Sequence, residues 1–146
     1  MLQFLFSSDN SIAGLILRLT VGVIMLPHGA QKMLGWFGGY GFKSTITFFT
    51  GTMHLPWLIS CGIILIEFVG SVCLIIGFGS KAWAGLFIIV MLGAIATTNY
   101  SNGFFMNWFG NQKGEGFEYH LLVIGLCTAM IFTGSGRFSV DQLILA

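Results

Sequence analysis

The sequence predicts an all-α fold: an integral membrane four-helix bundle with an interfacial amphipathic helix in its first loop. Composition is the first observation behind this reading. Of 146 residues, 55% are hydrophobic and 8% are charged, against roughly 25% charged in a soluble domain. So few charges cannot coat a particle of this size. The second observation is four apolar segments that reach, with their flanks, the ~17–25 residues a helix needs to cross a bilayer. The third is that no alternating pattern of membrane strands runs through them. Disorder is excluded by the same composition. A net charge of +1 leaves no electrostatic footprint for nucleic acid.

The spans are expected at about 12–34, 57–78, 82–99 and 117–134, within one membrane domain covering 1–146. Ile12–Pro27 is interrupted only by Gly14, Arg18, Thr20 and Gly22, and its pattern continues to about Leu34. Glu67 is the only charge in the second segment, Glu118 the only one in the fourth, and the third has none. An even number of spans puts both termini on one side. With no basic residue ahead of it and an arginine inside it, the first span does not read as a removable signal peptide. The connections differ in character. A tight link surrounds Gly79-Ser80-Lys81, and an Asn- and Gly-rich link runs from Tyr100 to Gly116. The first link, His28 to Pro56, is long for a bundle. Within it, Phe42, Ile46, Phe49 and Met53 recur at helical spacing between polar residues, which predicts the amphipathic helix. Lys81 and Arg137 stand on one face against Lys32, Lys43 and Lys113 on the other, a balance too even for the positive-inside rule to set the orientation.

The informative residues are polar ones placed where polarity is costly, at least ~2.5–3.5 kcal/mol for a charge at the bilayer centre. Arg18 falls ten residues before His28, and Glu67 ten after Trp57. Equal counts on antiparallel spans put the two at one depth, so a buried Arg18–Glu67 ion pair is expected. Such a pair can fix helix register or handle protons. A second group, His28, Lys32, Asn99, Glu118 and His120, gathers at the face with the long loops. His28, Lys32, Glu67, Glu118 and His120 are the candidate lining of a ligand site, with a quinone as candidate cofactor. Met25, Trp57 and Phe117 are its candidate walls. The alternative for this group is interfacial side chains snorkelling to water. No metal-ligand spacing appears among His28, His54 and His120. Cys61, Cys73 and Cys127 form no Cys-x-x-Cys pair and read as packing.

These residues also carry a resemblance. Arg18, Gly22, His28-Gly29-x-x-Lys32 and Gly35-Trp36-Phe37-Gly38-Gly39 are followed in order by Glu67, Gly70, Gly77 and Lys81. Gly116-Phe117-Glu118-Tyr119 and Gly134-Ser135-Gly136-Arg137-Phe138-Ser139-Val140-Asp141 complete the set. The ordered set resembles the DoxX family of small bacterial membrane proteins across about residues 12–142. The resemblance implies a four-helix bundle in the cytoplasmic (inner) membrane with both termini inside. It also implies a link to quinone or thiol redox chemistry, since related DoxD-type subunits belong to thiosulfate:quinone oxidoreductase. Arg18, His28, Lys32, Glu67 and Glu118 match positions of the family pattern, whereas His54, Cys61 and Cys127 do not.

Three function classes follow. One is a membrane subunit of a quinone-linked redox or thiol-stress system, working with a redox partner protein or as a homo-oligomer. Another is a non-enzymatic scaffold, and the third a small-solute transporter. Against transport, there is no evident internal repeat, and the only prolines, Pro27 and Pro56, flank the first loop. Cysteines introduced at Ser8, Lys81 or Gln142 should react with an impermeant thiol reagent from one side of the membrane. Those at Lys43 or Lys113 should react from the other. Labelling of both sets from one side would overturn the even number of spans.

Overall fold

A computed structural model describes residues 10–145. The expected domain extent of 1–146 reaches past both ends, and Ser8 lies outside the described residues. Those residues are helical, with no strand among them. Helix α1 is Ile12–Leu34, opened by the Ser11 side chain accepting from the Gly14 amide at 3.2 Å. Gly35 ends it in a left-handed conformation, φ 75°, where a side chain would be strained. Pro27 lies inside this helix and does not flank the loop, so α1 runs on for seven residues beyond it. Helix α2 is Gly41–Gly51, within the segment whose apolar spacing predicts one.

Helix α3 is Trp57–Ile76 and α4 is Ser80–Asn102. Each contains one wide π turn, at Ile66–Gly70 in α3 and at Ile95–Asn99 in α4. Helix α5 is Glu118–Thr133 and the short α6 is Val140–Leu145. Helices α1, α3 and α4 are long and apolar enough to cross a membrane, whereas α5, with 16 residues, is shorter. Large apolar side chains such as Ile16, Leu58, Ile89, Leu122 and Phe132 face outward. That distribution suits a lipid surround, where the apolar exterior needs no polar cover. Inside, α1, α3, α4 and α5 meet around Val21, Met25, Leu74, Phe87, Met91, Val123, Cys127 and Met130.

Glycines set the register of α1 on α3. A Cβ at Gly29 would lie 2.6 Å from the backbone of Glu67, and one at Gly22 3.0 Å from the carbonyl oxygen of Ser71. His28 is therefore nearly level with Glu67, about ten residues or nearly three turns deeper than counting from Trp57 suggests. The expected pairing of Arg18 with Glu67 is corrected by this register. The count places the end of the first span at His28, but α1 continues to Leu34, and α3 begins beyond that end. Arg18 then falls beside the last turn of α3.

There Arg18, 2% exposed, spends its guanidinium on backbone carbonyls. Nε donates to Ser135 at 2.9 Å, Nη1 to Leu74 and Ile75, and Nη2 to Arg137 at 3.1 Å and Phe138 at 2.8 Å. Leu74 and Ile75 belong to the C-terminal turn of α3, whose carbonyls lack helical partners. Asp141, also buried, does the converse at the start of α4. Its carboxylate accepts from the amides of Gly79 at 2.6 Å and Ser80 at 3.1 Å. The Gly134–Asp141 segment is thus clamped across the α3–α4 turn. Gly14 admits it, since a Cβ there would stand 2.6 Å from the Gly136 amide nitrogen. Lys81 is buried on this face, so Gln142 is the better labelling position of the two.

Replacing Arg18 by Gln should cost roughly 3 kcal/mol or more, because several buried carbonyls lose a charged donor at once. Arg18→Lys should fall between, having fewer donors in a different geometry. Thermal melts in mild detergent measure both. An unchanged melting temperature for the glutamine variant would show that the clamp does not stabilise the fold.

Candidate functional site

The opposite end of the helices encloses a cavity of about 640 Å³. Its walls are mostly apolar, from Met25 in α1, Phe48 and Phe49 in α2, Ile63 and Ile66 in α3, and Met91 in α4. Its polar lining includes His28, Lys32, Glu67, Tyr119 and His120, with Thr97, Thr98, Asn99 and Glu115 from the end of α4 and the loop after it. This mixture of greasy walls and few polar groups is typical of small-molecule sites.

Glu67 is 5% exposed and lies in the π turn of α3. Lys32 Nζ forms an ion pair with its Oε2 atom. The close approach at Gly29 permits this, for it brings the two helix backbones together one turn before Lys32. Such wide turns recur at functional positions in other proteins, and this one carries the only carboxylate of α3. Arg18 is thus a clamp residue and Glu67 a cavity residue, each with its own partners.

His28 lies with its ring centroid 6.0 Å from that of Tyr119. The Tyr119 hydroxyl donates to Met25 Sδ at 3.3 Å. His28 is an exposed residue that lines the cavity, whereas Nδ1 of His120 is buried without a partner among the described residues. A buried nitrogen with nothing to bond is costly, and His120 therefore presents unused hydrogen-bonding capacity to the cavity.

Glu118, expected in the lining, is not there. Its Oε1 accepts from the Met106 amide at 2.9 Å and from Trp108 Nε1 at 3.2 Å, holding the loop between α4 and α5. The cause is the loop's fold-back: Phe117 N donates to Gly103 O at 3.2 Å and Glu118 N to Phe104 O at 2.9 Å. Asn99 assists by donating to Glu115 O at 2.9 Å. Glu118 acts on the cavity only through Met106, which lines it. Of the expected walls, Met25 lines the cavity; Trp57 is exposed, and Phe117 stacks on Tyr100. Tyr119 and Phe48 join the lining without any signal in the residue spacing. Phe49 on α2 and Met53 just past its end, both on the apolar stripe, do carry a signal, but the stripe by itself speaks only of amphipathicity. Cys61, Cys73 and Cys127 are free thiols, and no group of three metal-ligating side chains occurs among the described residues.

Apolar helices of spanning length around a small apolar cavity with an internal ion pair define a multi-pass membrane protein with a candidate small-molecule site. The chain belongs to the DoxX family, whose model matches residues 13–100. It is 32% identical over 133 residues to a Bacillus subtilis (strain 168) protein named "Putative oxidoreductase CatD", covering 91% of this chain and 87% of that one. It is 22% identical over 142 residues to "Inner membrane protein YphA" of Escherichia coli (strain K12), covering 95% of each. No solved structure matches the chain.

The ion pair is open to a double-mutant test. Lys32→Met and Glu67→Gln should each destabilise the protein, toward the lower end of the ~3–5 kcal/mol typical of a broken buried pair because Lys32 is partly exposed. The double variant should recover part of the loss. Strict additivity in melting experiments would mean that the two side chains do not interact.

Proposed function

We propose that this protein is the membrane subunit of a quinone-linked redox system and binds the quinone in the cavity at the α2 end of the helices. The observation that carries this reading is the meeting of an apolar cavity of about 640 Å³ with the buried, unpartnered Nδ1 of His120 and the nearby side chains of His28 and Lys32 in its lining. A quinone ring suits the apolar walls, and its carbonyls accept hydrogen bonds from His28, His120 or Lys32. Reduction to the quinol takes two electrons and two protons. In this reading a redox partner protein supplies the electrons, and His28 and the Lys32–Glu67 pair pass the protons. The name of the Bacillus relative, which includes oxidoreductase, agrees with this chemistry. A thiol-based reaction has less support, since Cys61 and Cys127 are buried and lie outside the cavity lining.

The same reading takes the chain as one membrane domain of the bacterial inner membrane, consistent with the name of the Escherichia relative. Helix α5 is a fourth crossing: it packs along α4 and also meets α1. Local thinning of the bilayer accommodates its shorter length. Helix α2 lies in the interface. Its Phe48 and Phe49 roof the cavity while Lys43 and Thr47 face water.

His28→Ala should weaken binding of a short-chain ubiquinone analogue at least tenfold in lipid nanodiscs, with little change in melting temperature. Phe42→Ala, outside the cavity lining, should bind as wild type. If the wild-type protein binds no quinone analogue, the quinone reading falls and the scaffold reading replaces it.

A further inference from the structure

The cavity has an opening whose edges are unlike the rest of its wall. Helices α3 and α4 touch along Ile66–Ile76, next to their tight connecting turn, and part toward Trp57. The gap is edged by Ile59 and Gly62 on α3 and by Ile89 and Gly93 on α4, all of which line the cavity. Ile59 and Ile89 are 52% and 66% exposed, on helices apolar enough to cross a membrane. The gap therefore faces hydrocarbon, not water.

Gly62 and Gly93 stand on the two sides of this opening. A mid-helix glycine costs about 1 kcal/mol relative to alanine, and most glycines here answer to close backbone contact or positive φ. Gly51, Gly62, Gly85, Gly93 and Gly125 answer to neither, and of these five Gly62 and Gly93 are the two that line the cavity. Each has ordinary helical φ, and a Cβ at either position would meet nothing within 4 Å. What their missing side chains leave is width in the gap. The π turns at Ile66–Gly70 and Ile95–Asn99 lie in the same two helices, and wide turns are among the identified causes of helix bending.

We propose that the gap between α3 and α4 is a lateral portal through which the apolar chain of a lipid-soluble ligand enters the cavity from the bilayer. The chain lies between Gly62 and Gly93, and the polar head reaches His28 and Lys32. This deepens the quinone reading by naming the ligand class as a headgroup with a long hydrocarbon tail. The portal itself rests on the gap and its two glycines.

The test uses full-length protein in nanodiscs doped with a phosphatidylcholine carrying a mid-chain diazirine. After illumination, peptide mapping should find acyl-chain adducts on the inner residues Ile63 and Met91 as well as on Ile59 and Ile89. Gly62→Leu with Gly93→Leu should cut the inner adducts at least fivefold and leave outer ones in place. Since both positions open on free space, the variant should melt no lower than wild type. Adducts confined to Ile59 and Ile89 in wild type, or inner adducts unaffected by the double substitution, would overturn the portal. A second arm compares ubiquinones of two and eight isoprene units. The double variant should lose at least tenfold in affinity for the longer one and less than twofold for the shorter. Equal losses for both would also count against the portal. Inner adducts without any quinone binding would keep the portal and reject the quinone reading.

Discussion

A charge carried into hydrocarbon must be met where it lies, and the arrangement of this protein follows from how that is done at two places. At one end Arg18 donates to carbonyls of the α3 terminus and of the segment from Ser135 to Phe138. At the other, Lys32 meets Glu67. The first is spent entirely within the protein and leaves nothing for a ligand. The second sits on a cavity wall, in a lining that also holds His28 and the unpartnered Nδ1 of His120. One end is therefore closed around its charge, and the other opens on a cavity.

The closed end supports the open one. Arg18 and Asp141 hold the α3–α4 turn from both sides, through the last carbonyls of one helix and the first amides of the next. With the turn pinned, the two helices can separate farther along without losing their register. Gly70 seats against Trp83, whose ring would lie 2.8 Å from a Cβ placed there, just before the helices diverge. The cavity thus occupies the space that a firmly hinged pair of helices leaves open.

Loop and helix ends finish the cavity. Glu118 ties down the α4–α5 loop through Met106 and Trp108, and α2 covers the top with Phe48 and Phe49. These contacts use one carboxylate, a backbone amide, an indole N–H and aromatic surface, which suit an interfacial position. Exposed aromatics concentrate on this side, among them Trp36, Tyr40, Trp108 and Phe109.

The sequence by itself determined the helical class, the apolar segments and the family, because each depends on composition or residue order within a local window. It also marked Arg18 and Glu67 as costly enough to need a reason, and His28 and Lys32 as candidates at the face with the long loops. Which charge meets which was decided only by the tertiary structure. Register depends on where Gly22 and Gly29 let two backbones touch, and on α1 continuing through Pro27 to Leu34. A shift of about eleven residues, roughly 16 Å at about 1.5 Å each, exchanges one ion pair for another, and no local pattern records it. Glu118 left the site for the same kind of reason: the return of its loop placed an amide and an indole N–H within its reach, and hydrogen bonds formed across distant positions are invisible to spacing.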